Sequence, residues 1–103
     1  NIEQCHVLML NSKNGVIDST LIGSGGLTAT TVDIRLVIRE ALMKRATAIA
    51  LCHNHPSGNT SPSREDNELT KNLRDACKVM NIRFLDHIIV AGDRYYSYND
   101  EGM

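Results

Sequence analysis

Ala46-Thr47-Ala48-Ile49-Ala50-Leu51-Cys52-His53-Asn54-His55-Pro56 is the stretch on which the reading of this chain turns. Its first seven residues are small or apolar and of strand length, so they read as a strand buried on both faces that ends at the histidines. Side chains at i and i+2 of an extended segment project to the same side, so His53 and His55 can converge on one ion while Asn54 points away. Pro56 and Gly58 break regular structure, and the polar residues 57–63 form a loop able to swing back toward the strand end. A helix beginning near Ser63 or Arg64 then puts Asp66 in its first turn. Two imidazoles and a carboxylate within fourteen residues make a ligand set for one zinc ion, with the fourth tetrahedral position left to water.

Each part of this set also has a plainer reading. Ser63-x-x-Asp66 is a variant of the capping box, and acidic residues favour helix N-termini in any case. A His-x-His pair alone is often two polar loop residues. The combination is hard to explain as packing, and capping does not exclude a ligand role for Asp66.

The rest of the chain gives a coherent α/β order. Strands are predicted over residues 4–11 and 16–23, joined by the hairpin signal Asn14-Gly15, and Ser24-Gly25-Gly26 opens a loop. Thr30 or Thr31 is placed as the cap of a first helix running to about Arg45, with Ile34, Val37, Ile38 and Ala41 as its apolar stripe. Leu69, Leu73, Ala76, Cys77 and Met80 give a second helix, residues 64–80, its buried face. Strands follow over residues 82–91 and 94–98, turned at Gly92-Asp93. The expected fold is a single α/β domain with a three-layer-type mixed β-sheet flanked by helices.

Composition narrows the function. A chain of 103 residues with 42% hydrophobic content can bury a core without staples. The net charge of −1 and the lack of any long block of like charges disfavour a dedicated nucleic-acid binder. Arg35, Arg39, Lys44 and Arg45 fall on one predicted helix, where a solvated face is the simpler reading. Three cysteines, Cys5, Cys52 and Cys77, lie in apolar surroundings and read as buried thiols of a reduced, cytoplasmic protein. Cys52 should point opposite to His53 and so fail as a ligand. No apolar span is long enough to suggest a membrane segment. His6 and His87 are read as core histidines satisfied by hydrogen bonds, although Asp86-His87 could also orient a ligand. Tyr95, Tyr96 and Tyr98 read as edge-strand packing.

The residues resemble the JAMM (MPN-type) metalloprotease motif, a glutamate followed by His-x-His-Pro-x(6)-Ser-x-x-Asp, at His53, His55, Pro56, Ser63 and Asp66. The RadC branch is the nearer likeness, through His53-Asn54-His55-Pro56-Ser57-Gly58, Leu85-Asp86-His87-Ile88-Ile89, Tyr96-Ser97-Tyr98 and the opening residues 3–11. The resemblance covers residues 1–103 and implies the JAMM/MPN (cytidine-deaminase-like) fold. It implies that His53, His55 and Asp66 hold Zn2+, that Glu3 is the general base, and that Ser63 stabilises the tetrahedral intermediate. Glu65 and Glu68 are nearby alternatives to Glu3 that should face solvent. The implied function is a zinc-dependent hydrolase cutting a peptide or isopeptide bond of a peptide or protein substrate. The alternative is a non-catalytic metal-binding or protein/DNA-interaction module associated with DNA repair. Deubiquitinating members carry Ser or Thr where this chain has Asn54, and the chain has no room for ubiquitin-binding insertions. HNH nucleases disperse their three residues instead of placing them in a row. Zinc deaminases need a Cys-x-x-Cys that is absent here.

Overall fold

The computed structural model describes residues 2–25 and 32–102, which form β1 (Gln4–Leu10), β2 (Val16–Ser24), α1 (Ile34–Met43), β3 (Ala48–Asn54), α2 (Arg64–Val79), β4 (Arg83–Ala91) and β5 (Arg94–Ser97). The sheet order is β2-β1-β3-β4-β5. β3 and β4 run parallel, as the α2 crossover between them requires, and the other neighbours are antiparallel. The class is therefore α/β with a mixed five-stranded sheet and two helices, consistent with a JAB/MPN-type fold.

Register puts Cys5 opposite His53, Val7 opposite Leu51 and Met9 opposite Ile49, so these residues share one face of the sheet. That face meets Val37 and Ala41 of α1 and Leu69, Leu73 and Cys77 of α2 in one buried cluster. Both helices thus cover the same face, and the described residues supply one helical layer over the sheet. On the opposite face Leu8, Ala50 and Cys52 are half-buried.

The ends of the elements follow local chemistry. Asn14 adopts φ 62°, and Asn11 Oδ1 accepts from the amides of Lys13 and Gly15 at 2.9 Å each, closing the first hairpin. The left-handed residue is Asn14, and Gly15 serves the turn without positive φ. Asp33 caps α1, its carboxylate accepting from Arg35 N at 2.9 Å. This corrects the expected Thr30 or Thr31 cap; both threonines lie outside the described residues, and a carboxylate next to the first apolar residue outcompetes more distant hydroxyls. Each helix ends in a Schellman motif on a left-handed residue, Arg45 at φ 55° and Asn81 at φ 58°. The closing bonds run from Ala46 N to Ala41 O and from Ile82 N to Cys77 O, both 2.9 Å, and join buried residues. The chain is thereby aimed directly into β3 and into β4.

Candidate metal centre

His53 ends up beside the start of β1 because β1 and β3 are antiparallel, and Asp66 arrives there on the first turn of α2. The loop between them turns at His55, whose carbonyl accepts from Gly58 N at 3.1 Å. Gly58 takes φ 85°, a conformation that a Cβ disfavours, and this lets the chain double back toward His55. The Asn59 carbonyl then sits 2.7 Å from His55 Nδ1. A carbonyl oxygen only accepts, so Nδ1 carries a proton and Nε2 is the nitrogen turned toward the cluster.

That nitrogen faces three other groups. His55 Nε2 lies 2.9 Å from His53 Nε2 and 3.1 Å from Asp66 Oδ2. His53 Nε2 lies 3.2 Å from Asp66 Oδ1. Glu3 Oε2 stands slightly farther off, 3.6 Å from His53 Nε2 and 3.7 Å from His55 Nε2. One ligand atom from each of the four residues falls within 4.8 Å of the others. Zinc bonds of about 2.0–2.1 Å in a tetrahedron separate ligand atoms by roughly 3.3 Å, so the trio His53, His55 and Asp66 fits such an ion closely. Two nitrogens and a carboxylate are also a donor set suited to zinc.

Burial and hydrogen bonding make the site firm. His53 and Asp66 are only 2% and 3% exposed. Burial by itself would raise the Asp66 carboxyl, but His53 and the Ser63 amide and hydroxyl hold it well below the usual carboxylate range. Ser63 caps α2: its Oγ accepts from Asp66 N at 3.0 Å, while its own N–H donates to Asp66 Oδ2 at 2.8 Å. The reciprocal capping box therefore aims the carboxylate that also faces the histidines, and both readings of Asp66 hold at once. Glu65 and Glu68 are exposed and lie outside the cluster.

Two residues make contacts that the sequence does not reveal. His87, expected as a core histidine satisfied by hydrogen bonds, is fully buried, with its Nε2 2.7 Å from His53 Nδ1 and its Nδ1 2.5 Å from Thr70 Oγ1. Burial, reinforced by the neighbouring His53, pushes its imidazole down to about 3, so the ring is neutral near pH 7. Asn54 stays out of the cluster, as expected, and its amide accepts from Gln4 N at 2.7 Å and donates to Ile2 O at 3.2 Å, gripping the backbone on both sides of Glu3. The buried thiol of Cys5, opposite His53, is pushed up to about 12 and stays protonated. All three cysteines are free.

The family model described as RadC-like JAB domain matches residues 1–103. The chain belongs to this family. It is 43% identical over 101 residues to a UPF0758 protein of Flavobacterium johnsoniae, covering 98% of this chain and 44% of that protein. It is 46% identical over 103 residues to a UPF0758 protein of Symbiobacterium thermophilum, covering all of this chain and 44% of that one. A UPF0758 protein of Listeria monocytogenes is 46% identical over 100 residues. The chain thus spans less than half the length of these relatives of the RadC-like JAB domain. No helix among its described residues is long and apolar enough to cross a membrane.

Proposed function

We propose that this RadC-like JAB domain is a zinc-dependent hydrolase that cleaves a peptide or isopeptide bond in a protein or peptide substrate. The observation that carries the reading is the inequality within the cluster. The contacts that join His53 Nε2, His55 Nε2 and the two Asp66 carboxylate oxygens are 2.9–3.2 Å, short enough for a shared ion, while Glu3 Oε2 stands back at 3.6–3.7 Å from the two histidines. That separation suits a group that works on a water molecule next to the ion better than one that binds the ion.

In this reading His53, His55 and Asp66 hold the zinc, which supplies Lewis acidity toward the scissile carbonyl and toward water. Glu3 takes the proton of the attacking water and passes it to the leaving amine. Ser63 sits at the positive end of α2, and its hydroxyl, whose oxygen accepts from Asp66 N, can turn its one proton from the Asp66 carboxylate to the developing oxyanion.

Zinc stoichiometry by plasma mass spectrometry, on protein purified without a metal-binding tag, is the first test. About one zinc per chain is expected, lost in His53→Ala and Asp66→Ala and retained in Glu3→Gln. On a substrate found by screening peptide and isopeptide reporters, Glu3→Gln should lose turnover while keeping its metal. Failure of the wild type to take up zinc after reconstitution would sink the hydrolase and favour the interaction module.

A further inference from the structure

We propose that Thr70 and His87 are positioning residues that dictate which ring nitrogen of His53 carries its proton, and so present the His53 Nε2 lone pair to the metal. The proposal rests on the reading of the cluster as a zinc site, and it explains a chain of buried groups that neither the ligand set nor the core requires.

The directions of the hydrogen bonds are forced by counting protons. Thr70 Oγ1 lies 2.8 Å from the backbone carbonyl of Asp66, which can only accept, so the single hydroxyl proton goes there. Such a bond to the preceding turn is common for threonine in helices. Here it leaves the oxygen only its lone pairs for His87 Nδ1, so Nδ1 must donate. A neutral imidazole has one N–H, hence His87 Nε2 accepts and His53 Nδ1 donates to it across 2.7 Å. The relay thus fixes a proton on His53 Nδ1 and leaves Nε2, the atom facing His55 and Asp66, as the nitrogen a metal would take.

The relay starts at the backbone of one ligand, Asp66, and ends on the ring of another, His53, tying α2 to β3 through β4. His55 is fixed more simply, by the Asn59 carbonyl. A carbonyl is an unambiguous acceptor and a histidine is not, so the His53 branch needs Thr70 to resolve the direction. Tyr98 stacks on His87 with centroids 5.0 Å apart and planes at 15°, which holds the ring in the plane the relay uses. Thr70 itself is only 2% exposed, a position where valine would fill the same space without the hydroxyl.

The test reads the protons directly. Long-range proton–nitrogen NMR on metal-free protein with labelled histidines, at mildly alkaline pH, reports which ring nitrogen is protonated. His53 and His87 are both expected to carry a proton on Nδ1, giving way to mixed tautomers in Thr70→Val and returning in Thr70→Ser. By chelator competition, Thr70→Val and His87→Phe should bind zinc about 10–100-fold more weakly, as expected for loss of an outer partner of a metal-bound histidine. His87→Gln, whose carbonyl can accept from His53, should recover most of the loss. A wild-type His53 without a proton on Nδ1, or wild-type zinc affinity in both Thr70→Val and His87→Phe, overturns the relay. A wild type that shows the expected tautomers yet binds no zinc overturns the metal reading and leaves the relay standing.

Discussion

Asn54 shows how much a single side chain can contribute without touching the reacting groups. Its amide accepts from Gln4 N and donates to Ile2 O, continuing the β1–β3 pairing past the end of the ladder so that Glu3 is held over the two histidines. Asn54→Ala should remove about 1 kcal/mol of local protection, so that the Gln4 amide exchanges with solvent roughly fivefold faster. Unchanged Gln4 exchange by NMR would show that β1 holds Glu3 without help. This contact was not legible in the sequence. His53, His55 and Asp66 are brought together by a strand period and one short loop, which spacing reveals. Asn54 meets Gln4 across 50 positions, through a register that local pattern does not encode. Which of the two readings of His87 applies was not legible for a related reason: its partner Thr70 sits 17 residues away on α2, and burial alone looks the same for a ring satisfied by hydrogen bonds and for one that also orients a ligand.

At the scale of elements, α2 has to serve both the core and the site. Leu69, Leu73 and Cys77 anchor one face in the apolar cluster, while Asp66 and Thr70, on the same side, reach the histidines. These two sets follow each other at helical spacing, so the core fixes the rotation of the helix and thereby the aim of Asp66. Leu73→Ala, at a fully buried position, should cost about 2–5 kcal/mol by urea unfolding yet leave zinc stoichiometry of the folded protein intact. Loss of zinc from folded Leu73→Ala would mean that the carboxylate is placed by something other than this packing. The periodicity of α2 and its Ser63–Asp66 box made this element readable to within a residue of its observed bounds. The start of α1 was not, because several residues before it can cap a helix, and the choice of Asp33 depends on where the chain leaves the sheet.

Across the whole molecule, the cluster joins the start of β1 to the end of β3 and the start of α2, which one short loop connects, and the anionic and nitrogen ligand groups of these segments crowd together. Bringing such groups together costs electrostatic free energy that a divalent cation offsets, and an unfolded chain offers that cation no comparable site. Zinc should therefore bind the native state selectively and stabilise it by RT ln(1 + [Zn]/Kd), about 2.7 kcal/mol at roughly a hundred times Kd. For a domain of this size that corresponds to a rise in Tm of roughly 10–20 °C, growing with zinc concentration and reversed by a chelator. His53→Ala should flatten the response, since it removes a ligand 2% exposed at the centre of the cluster. Glu3→Gln should keep the response nearly whole, because a group set back from the ion contributes little to its binding. Calorimetric scans of the three proteins separate the roles: a Glu3→Gln protein that no longer responds to zinc would make Glu3 a ligand, and the proton would have to be carried by another group.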